Sequence, residues 1–118
     1  MVSWEKALRT ILVATLLALT VAHEAHAASD AFLKGAETYR RGGDKADLPA
    51  GFFIGYTLGV LHGVGVANAT VVCLPMGVTN KQILDVVAKY VGEHPEQQRS
   101  EDAALTFYAV TEAWPCNN

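Results

Sequence analysis

Few side chains in this sequence have the type and spacing that chemistry requires. Beyond the N-terminal segment there are two histidines, His62 and His94, and neither has metal-ligand spacing with another His or Cys. Ser29 and Ser100 lack the G-x-S-x-G context of a serine nucleophile, and no glycine-rich phosphate loop follows a strand. The sequence therefore predicts a protein that is not an enzyme, that holds no metal or cofactor, and that acts by binding.

The acidic side chains after position 92 are a further arrangement to weigh. Glu93, Glu96, Glu101 and Asp102 lie close together, and paired carboxylates can serve general acid–base chemistry. They are also typical of a solvated turn that leads into a helix, because carboxylates favour the positive end of the helix dipole. We favour the turn. The whole chain carries 9 Lys or Arg against 12 Asp or Glu, with no basic cluster, and this predicts no nucleic-acid partner.

Cys73 and Cys116 are the only cysteines of the chain. In an exported protein, two cysteines most simply form one disulfide. A bridge over so long a loop adds on the order of 4 kcal/mol to stability in the chain-entropy model. The alternative is a reactive free thiol, which requires a Cys with a lowered pKa. We predict the Cys73–Cys116 disulfide.

The N-terminal residues have the organisation of a secretory signal peptide. Lys6 and Arg9 precede an apolar run over Ile11–Ala22, and Ala25-His26-Ala27 has the small-x-small pattern that signal peptidase cleaves. We predict a signal peptide at residues 1–27, cleavage after Ala27, and a single periplasmic domain at residues 28–118. A retained signal anchor is the alternative, although the apolar run is short for a membrane span.

The longest uncharged part of the chain runs from Leu48 to Asn80. Within it, four glycines recur at a spacing that places them on one face of a helix: Gly51, Gly55, Gly59 and Gly63. Because each glycine inside a helix costs about 1 kcal/mol relative to Ala, we predict that this face closely contacts a second helix. A membrane-spanning helix is the alternative, since glycine stripes also occur there. We favour a buried core helix and no membrane span after signal cleavage.

Helix start and stop signals divide the rest of the predicted domain. Ser29 caps a first helix. Thr79 and Gln82 form a capping box for a helix that stops near Gly92. Pro95 suits the first position of a new helix, and the last helix runs to about Ala113. We therefore predict an all-α fold, a small single-domain bundle of four to five short helices stapled by one disulfide.

Several short motifs occur in a characteristic order across the predicted domain. They are Gly55-Tyr56, Gly59-Val60, Cys73-Leu74-Pro75, Gly77-Val78-Thr79, Gln82, Val86-Val87, Lys89-Tyr90-Val91, His94-Pro95-Glu96 and Pro115-Cys116. This order resembles the Rap/Tai immunity proteins, which are periplasmic antidotes to the amidase effectors of type VI secretion. The framework from Cys-Leu-Pro to Pro-Cys is the most specific part of the resemblance.

The resemblance implies a small helical protein, often a homodimer, that binds a cognate amidase effector and covers its active-site groove. Such a plug needs a polar, well-supported loop, and Glu93–Asp102 is the best candidate. Five side chains of this loop are predicted to contact the partner: His94, Glu96, Gln97, Arg99 and Glu101. Two alternatives stay open. In the first, the segment Glu93–Asp102 is only a connecting turn. In the second, the protein is a chaperone-like periplasmic stress or envelope-maintenance protein without a toxin partner.

Overall fold

The computed structural model of the chain describes residues 3–21, 27–67 and 72–117. All regular structure in these ranges is helical: α1 (Trp4–Val21), α2 (Asp30–Arg40), α3 (Leu48–Ala67), α4 (Asn80–Glu93), a 3₁₀ helix (Pro95–Arg99) and α5 (Asp102–Ala113). This confirms the predicted all-α class. Helix α1 covers the charged and apolar parts of the predicted signal peptide, whose cleavage motif lies largely in residues 22–26, outside the described ranges.

Helices α2 and α3 approach each other closely at Gly35 of α2. A Cβ atom added at Gly35 would collide with the Pro49 carbonyl oxygen and would lie 2.7 Å from Cβ of Phe53. Only glycine fits such a backbone approach. Ser29 begins α2 as predicted, because its hydroxyl accepts a hydrogen bond from the Phe32 backbone N–H.

The core forms where α4 and α5 pack on this helix pair. Phe32 and Phe53 are fully buried, and their ring centroids are 5.3 Å apart, a separation at which aromatic pairs attract. The other members of this core cluster are Ala36, Leu61, Ile83, Leu84, Val87, Ala88, Val91, Leu105, Ala109 and Val110. Burying each of the valine, leucine, isoleucine and phenylalanine side chains contributes roughly 1.5–3 kcal/mol. The apolar residues of α4 and α5 recur at helical spacing, so each helix has one apolar face, and burial of that face holds the helix on the core.

A polar contact also ties α4 to α2. The predicted capping box opens α4, with the Thr79 hydroxyl and the Gln82 side chain each bonded to the other residue's backbone. One turn later, the Tyr39 hydroxyl donates to Asp85 at 2.8 Å, and Lys81 pairs with Asp85 at 2.6 Å. Burial, followed by the contact with Asp85, raises the pKa of Tyr39 to about 12. The phenol therefore stays protonated and holds the two helices in register at neutral pH.

Helix α3 is buried on one face only. Ala50, Phe53, Thr57 and Leu61 face the core. The predicted close contact of the glycine stripe with a second helix is wrong, because a Cβ atom at Gly55, Gly59 or Gly63 would meet nothing within 4 Å. Only Gly51 is approached, by the Lys45 carbonyl oxygen at 2.9 Å. The period of the glycines shows which residues share a face, but it does not show what that face contacts.

The length and composition of α3 also satisfy the criteria for a membrane span. Among the described residues, Leu48–Gly65 is the one stretch long and apolar enough to cross a bilayer, and 22% of it is buried. A core helix of a soluble domain meets the same criteria, so length and composition alone do not decide between the two. α3 differs from a fully buried core helix because it has a second apolar face, which is exposed.

The predicted disulfide joins Cys73 to Cys116, with the two Cα atoms 5.2 Å apart. It fixes the segment after α3 to the residues that follow α5. Gly77 in this segment has a positive φ of 89°, which favours glycine, and the Val78 N–H donates to the Pro75 carbonyl at 3.3 Å. The disulfide and this turn together return the chain from α3 towards the start of α4.

One buried hydroxyl provides a test of this packing. Both Thr57 and Thr106 are fully buried. Thr106 donates to the Asp102 carbonyl at 2.9 Å, whereas the Thr57 hydroxyl has no hydrogen-bond partner among the residues that the structure describes. Because a buried unpaired hydroxyl costs about 1–3 kcal/mol, we expect Thr57→Val to raise the free energy of unfolding by about 1 kcal/mol. The matched control Thr106→Val should give no gain. Urea unfolding measures both, and equal effects would contradict the assignment.

Candidate partner-binding loop

The predicted binding segment between α4 and α5 is an ordered turn. Its central part is the 3₁₀ helix Pro95–Arg99, with Pro95 in the first turn, where a missing N–H is tolerated. The Gln97 N–H donates to the His94 carbonyl, and the Ser100 N–H donates to the Gln97 carbonyl, both at 2.9 Å. Pro95 is the first residue of a helix as predicted, but this helix is a separate 3₁₀ helix that ends at Arg99, and the last helix, α5, begins only at Asp102.

His94 holds the beginning of the loop against α4. Its ring lies over the ring of Tyr90, with the centroids 4.2 Å apart, as expected for residues one helical turn apart. Its Nδ1 lies 2.8 Å from a carboxylate oxygen of Glu96. This hydrogen bond is the main reason why the pKa of Glu96 is lowered. A single imidazole thus fixes both the end of α4 and the first carboxylate of the loop.

The far side of the loop is anchored by the beginning of the predicted domain. The Ala28 N–H donates to the Gln98 carbonyl at 3.0 Å. Asp102 accepts from both the backbone N–H and the hydroxyl of Ser29, at 2.7 and 2.6 Å. Burial, and then the negative charge of Asp102, raise the pKa of Tyr56 on α3. The loop is therefore held by the segment before α2 and by α4.

The predicted contact residues differ in their exposure. Glu96, Arg99 and Glu101 are exposed, whereas His94 and Gln97 are half-buried. The exposed side chains thus present a negative, a positive and a negative group in sequence order, and the first of them, Glu96, is hydrogen-bonded to His94. Within the described ranges, no group of three His, Cys, Asp or Glu residues could hold a metal ion.

A cleft of about 510 Å³ adjoins the loop on the side of Gln97 and is lined by Tyr90, Gln97, Tyr108, Thr111 and Glu112. Burial, followed by the charges of Glu112 and Glu96, raises the pKa of Tyr90. The tyrosine is therefore a neutral hydrogen-bonding group at the edge of the loop. The contribution of α5 was missed in the sequence, although Tyr108 and Glu112 lie one helical turn apart and so share a face.

A second cleft, of about 610 Å³, lies between α2 and α4 on the side of Gln98. Arg40 lies across Gly92 in this cleft, so closely that a side chain at Gly92 would collide with the guanidinium. The 3₁₀ helix therefore separates two clefts, with Gln97 facing one and Gln98 lining the other. This arrangement provides a polar ridge with a depression on either side, which is suited to entering a groove on another protein.

The chain matches the model of a known protein family. The family model described as Rap1a immunity proteins matches residues 15–116, which include every residue of the loop and both cysteines. The search of the curated proteins and the search of the solved structures give no match.

The link between His94 and Glu96 can be tested by titration. Because the His94 hydrogen bond favours the charged form of Glu96 and lowers its pKa, we expect His94→Ala to raise the Glu96 pKa towards its usual range. Carbon-detected NMR of the glutamate carboxyls measures this value. Arg99→Ala is the control and should leave the Glu96 pKa unchanged. An unchanged Glu96 pKa in His94→Ala would show that the hydrogen bond does not form in solution.

Proposed function

The chain belongs to the Rap1a family of immunity proteins, and we propose that it binds and blocks a type VI secretion effector that cleaves peptidoglycan as an amidase. Immunity proteins of this kind act by binding a secreted effector. The observation that carries the proposal is the loop of residues 94–101, a polar ridge supported by the segment before α2 and by α4. The loop needs no chemistry of its own, since occupying a catalytic groove is enough to exclude the substrate.

The support of the loop matters for affinity. A loop that must become ordered on binding loses free energy of about 0.5–1.5 kcal/mol for each immobilised side chain. Here the backbone is already fixed by the Ser29–Asp102 and Ala28–Gln98 hydrogen bonds, and His94 is stacked before any partner arrives. Less ordering is therefore needed when an effector binds. We propose His94, Glu96, Gln97, Arg99 and Glu101 as the contact residues.

We also propose that the protein acts in the periplasm after removal of residues 1–27. The Cys73–Cys116 disulfide suits an oxidising compartment. Ala28, the first residue after the proposed cleavage site, is also the point at which the chain joins the domain through Gln98. In α1, by contrast, Trp4 is 77% exposed and Val13 is 61% exposed. Cleavage after Ala27 therefore removes this exposed apolar surface and leaves the core intact.

A chaperone-like role is the second candidate, and the exposed apolar face of α3 favours it. Leu48 is 86% exposed and Phe52 is 42% exposed, and such surfaces can hold unfolded chains.

The immunity and chaperone functions differ in how selectively the protein binds its partners. Tagged protein recovered from the periplasm of its host, grown with secretion active, should capture one dominant partner that cleaves peptidoglycan amide bonds. Capture of many unrelated unfolded proteins would favour the chaperone and contradict the immunity function.

The loop assignment predicts a loss of affinity for the captured amidase. We expect the double variant Glu96→Ala and Arg99→Ala to weaken binding roughly 10- to 100-fold, as when charged contacts near the centre of an interface are removed. The matched control removes the exposed Glu37–Arg41 pair of α2, which has the same two charges and should change affinity less than about twofold. Calorimetric titration of folded variants measures both, and equal affinities would show that the loop is only a connecting turn.

Removal of the proposed signal peptide can be tested separately. We expect the chain isolated from the periplasm to begin at Ala28, because Ala25-His26-Ala27 has the cleavage pattern and Ala28 is held by the Gln98 carbonyl. Intact-mass measurement and N-terminal sequencing identify the first residue. Blocking the site with Ala27→Pro should retain the precursor in the membrane fraction. A periplasmic product that still carries residues 1–27 would contradict the signal peptide.

A further inference from the structure

The cleft beside Gln97 contains polar side chains that have no partner in the part of the chain that the structure describes. Thr111 donates its hydroxyl to the backbone of its own helix, α5. The other lining side chains form no hydrogen bond or ion pair there: Tyr90, Gln97, Tyr108 and Glu112. Because the cleft is open to solvent, these groups are available to a ligand from outside the chain.

Two tyrosines give the cleft its aromatic surface. The ring of Tyr90 on α4 lies against the ring of His94, with the centroids 4.2 Å apart, so its position is fixed. Tyr108 on α5 is 45% exposed. The faces of an aromatic ring carry partial negative charge and attract a cation placed over them. The space between α4 and α5 is therefore lined, from two helices, by rings that favour a cation.

The charge at this cleft is also negative. Burial, followed by the negative charges of Glu112 and Glu96, raises the pKa of Tyr90, so both carboxylates act on the cleft. Lys89 lies on the same part of α4, but its ammonium is 3.9 Å from Glu93 of its own helix, and it does not line the cleft. Within the described ranges, the Glu112 carboxylate therefore has no cationic partner.

We propose that this cleft binds an arginine side chain of the amidase effector, an inference that rests on the proposed immunity function. A guanidinium is planar and permanently charged, and it can stack on a tyrosine ring while it donates hydrogen bonds in its own plane. The Glu112 carboxylate can accept two of these bonds in parallel, and the Gln97 amide oxygen can accept another. A lysine ammonium is compact and cannot combine the stacking with the paired bonds.

The position of the cleft suits such an anchor. Gln97 belongs both to the loop and to the lining of the cleft, so an effector that receives the loop also passes over the cleft. The two contacts have opposite directions, because the loop enters the effector whereas the arginine enters this protein. Arginine side chains in such pockets are frequent among the residues that dominate binding energy.

A small probe tests the cleft without an effector. N-acetyl-arginine amide carries the side chain on a neutral backbone, and N-acetyl-citrulline amide has nearly the same shape without the charge. In NMR titrations at constant ionic strength, we expect the arginine probe to shift the signals of Gln97, Tyr108 and Glu112. The dissociation constant should be roughly 10–100 mM, because exposed contacts of this kind are individually weak. Equal shifts with both probes, or no shift with either, would overturn the proposal.

Two variants locate the binding of the arginine probe. Glu112→Gln removes the charge but keeps the shape, and Tyr108→Leu removes the ring. We expect each to lower the initial slope of the titration at least roughly fivefold. Glu37→Gln is the matched control, because Glu37 is also an exposed helical glutamate but lies on α2. It should change the slope less than about twofold. Circular dichroism confirms folding, and unchanged slopes in both cleft variants would overturn the site.

The captured amidase then shows whether its arginine is the occupant. We expect Glu112→Gln to weaken amidase binding roughly tenfold and Glu37→Gln to change it less than about twofold. One exposed arginine of the amidase, replaced by glutamine, should lose its effect when Glu112→Gln is already present, as a double-mutant cycle shows for residues in contact. Coupling to a lysine instead, or to no cation, would overturn the assignment.

The same measurements separate this inference from the proposed function. If the wild type binds no amidase, both fail. If the wild type binds the amidase and Glu112→Gln and Tyr108→Leu bind it equally well, only the arginine cleft is overturned, and the immunity function stands.

Discussion

The close approach of α2 to α3 at Gly35 is the constraint on which the rest of the domain depends. The absence of a side chain there lets the Pro49 carbonyl approach the α2 backbone. This proximity brings Phe32 and Phe53 into ring contact and creates the apolar surface onto which α4 and α5 pack. Any side chain at Gly35 would separate the two helices, and the fully buried aromatic pair would lose its packing.

The same constraint extends to the loop through the N-terminus of α2. Ser29 both caps α2 and donates to Asp102, so the position of α2 determines where α5 begins. Ala28 reaches the Gln98 carbonyl from the same segment. The disulfide constrains the opposite end of α5, since Cys116 follows this helix. The polar loop is thus short and bounded by fixed helices, which explains how a surface segment can be rigid without a core of its own.

Much of this fold could be predicted because its signals are local. The capping box of Thr79 and Gln82, the cap at Ser29 and the pairing of two cysteines each depend on residue type over a short range or on simple counting. The bond from Ser29 to Asp102 spans 73 positions, and no local pattern encodes it. The support of the loop was therefore missed, and the binding role of its residues stays a prediction.

The glycine stripe of α3 shows a different kind of failure. Its spacing correctly placed four glycines on one face, yet the close helix contact within the chain is made by Gly35 instead. Periodicity shows which residues share a face of a helix. Whether that face is buried in the core, exposed to solvent or covered by a partner depends on the other apolar surfaces in the chain that can be buried instead. In this chain Phe53 and Leu61 supply the face that α3 buries, so the glycine face remains outside.

The two exposed surfaces differ in the kind of contact that their chemistry supports. The loop offers charged and amide groups on a fixed backbone, and such groups give specificity because an incorrect partner leaves them unpaired. The α3 face offers apolar area and shape without a charge, which gives affinity with little discrimination. Because the polar loop and the exposed α3 face are built on different elements, a partner that covers one of them leaves the other accessible.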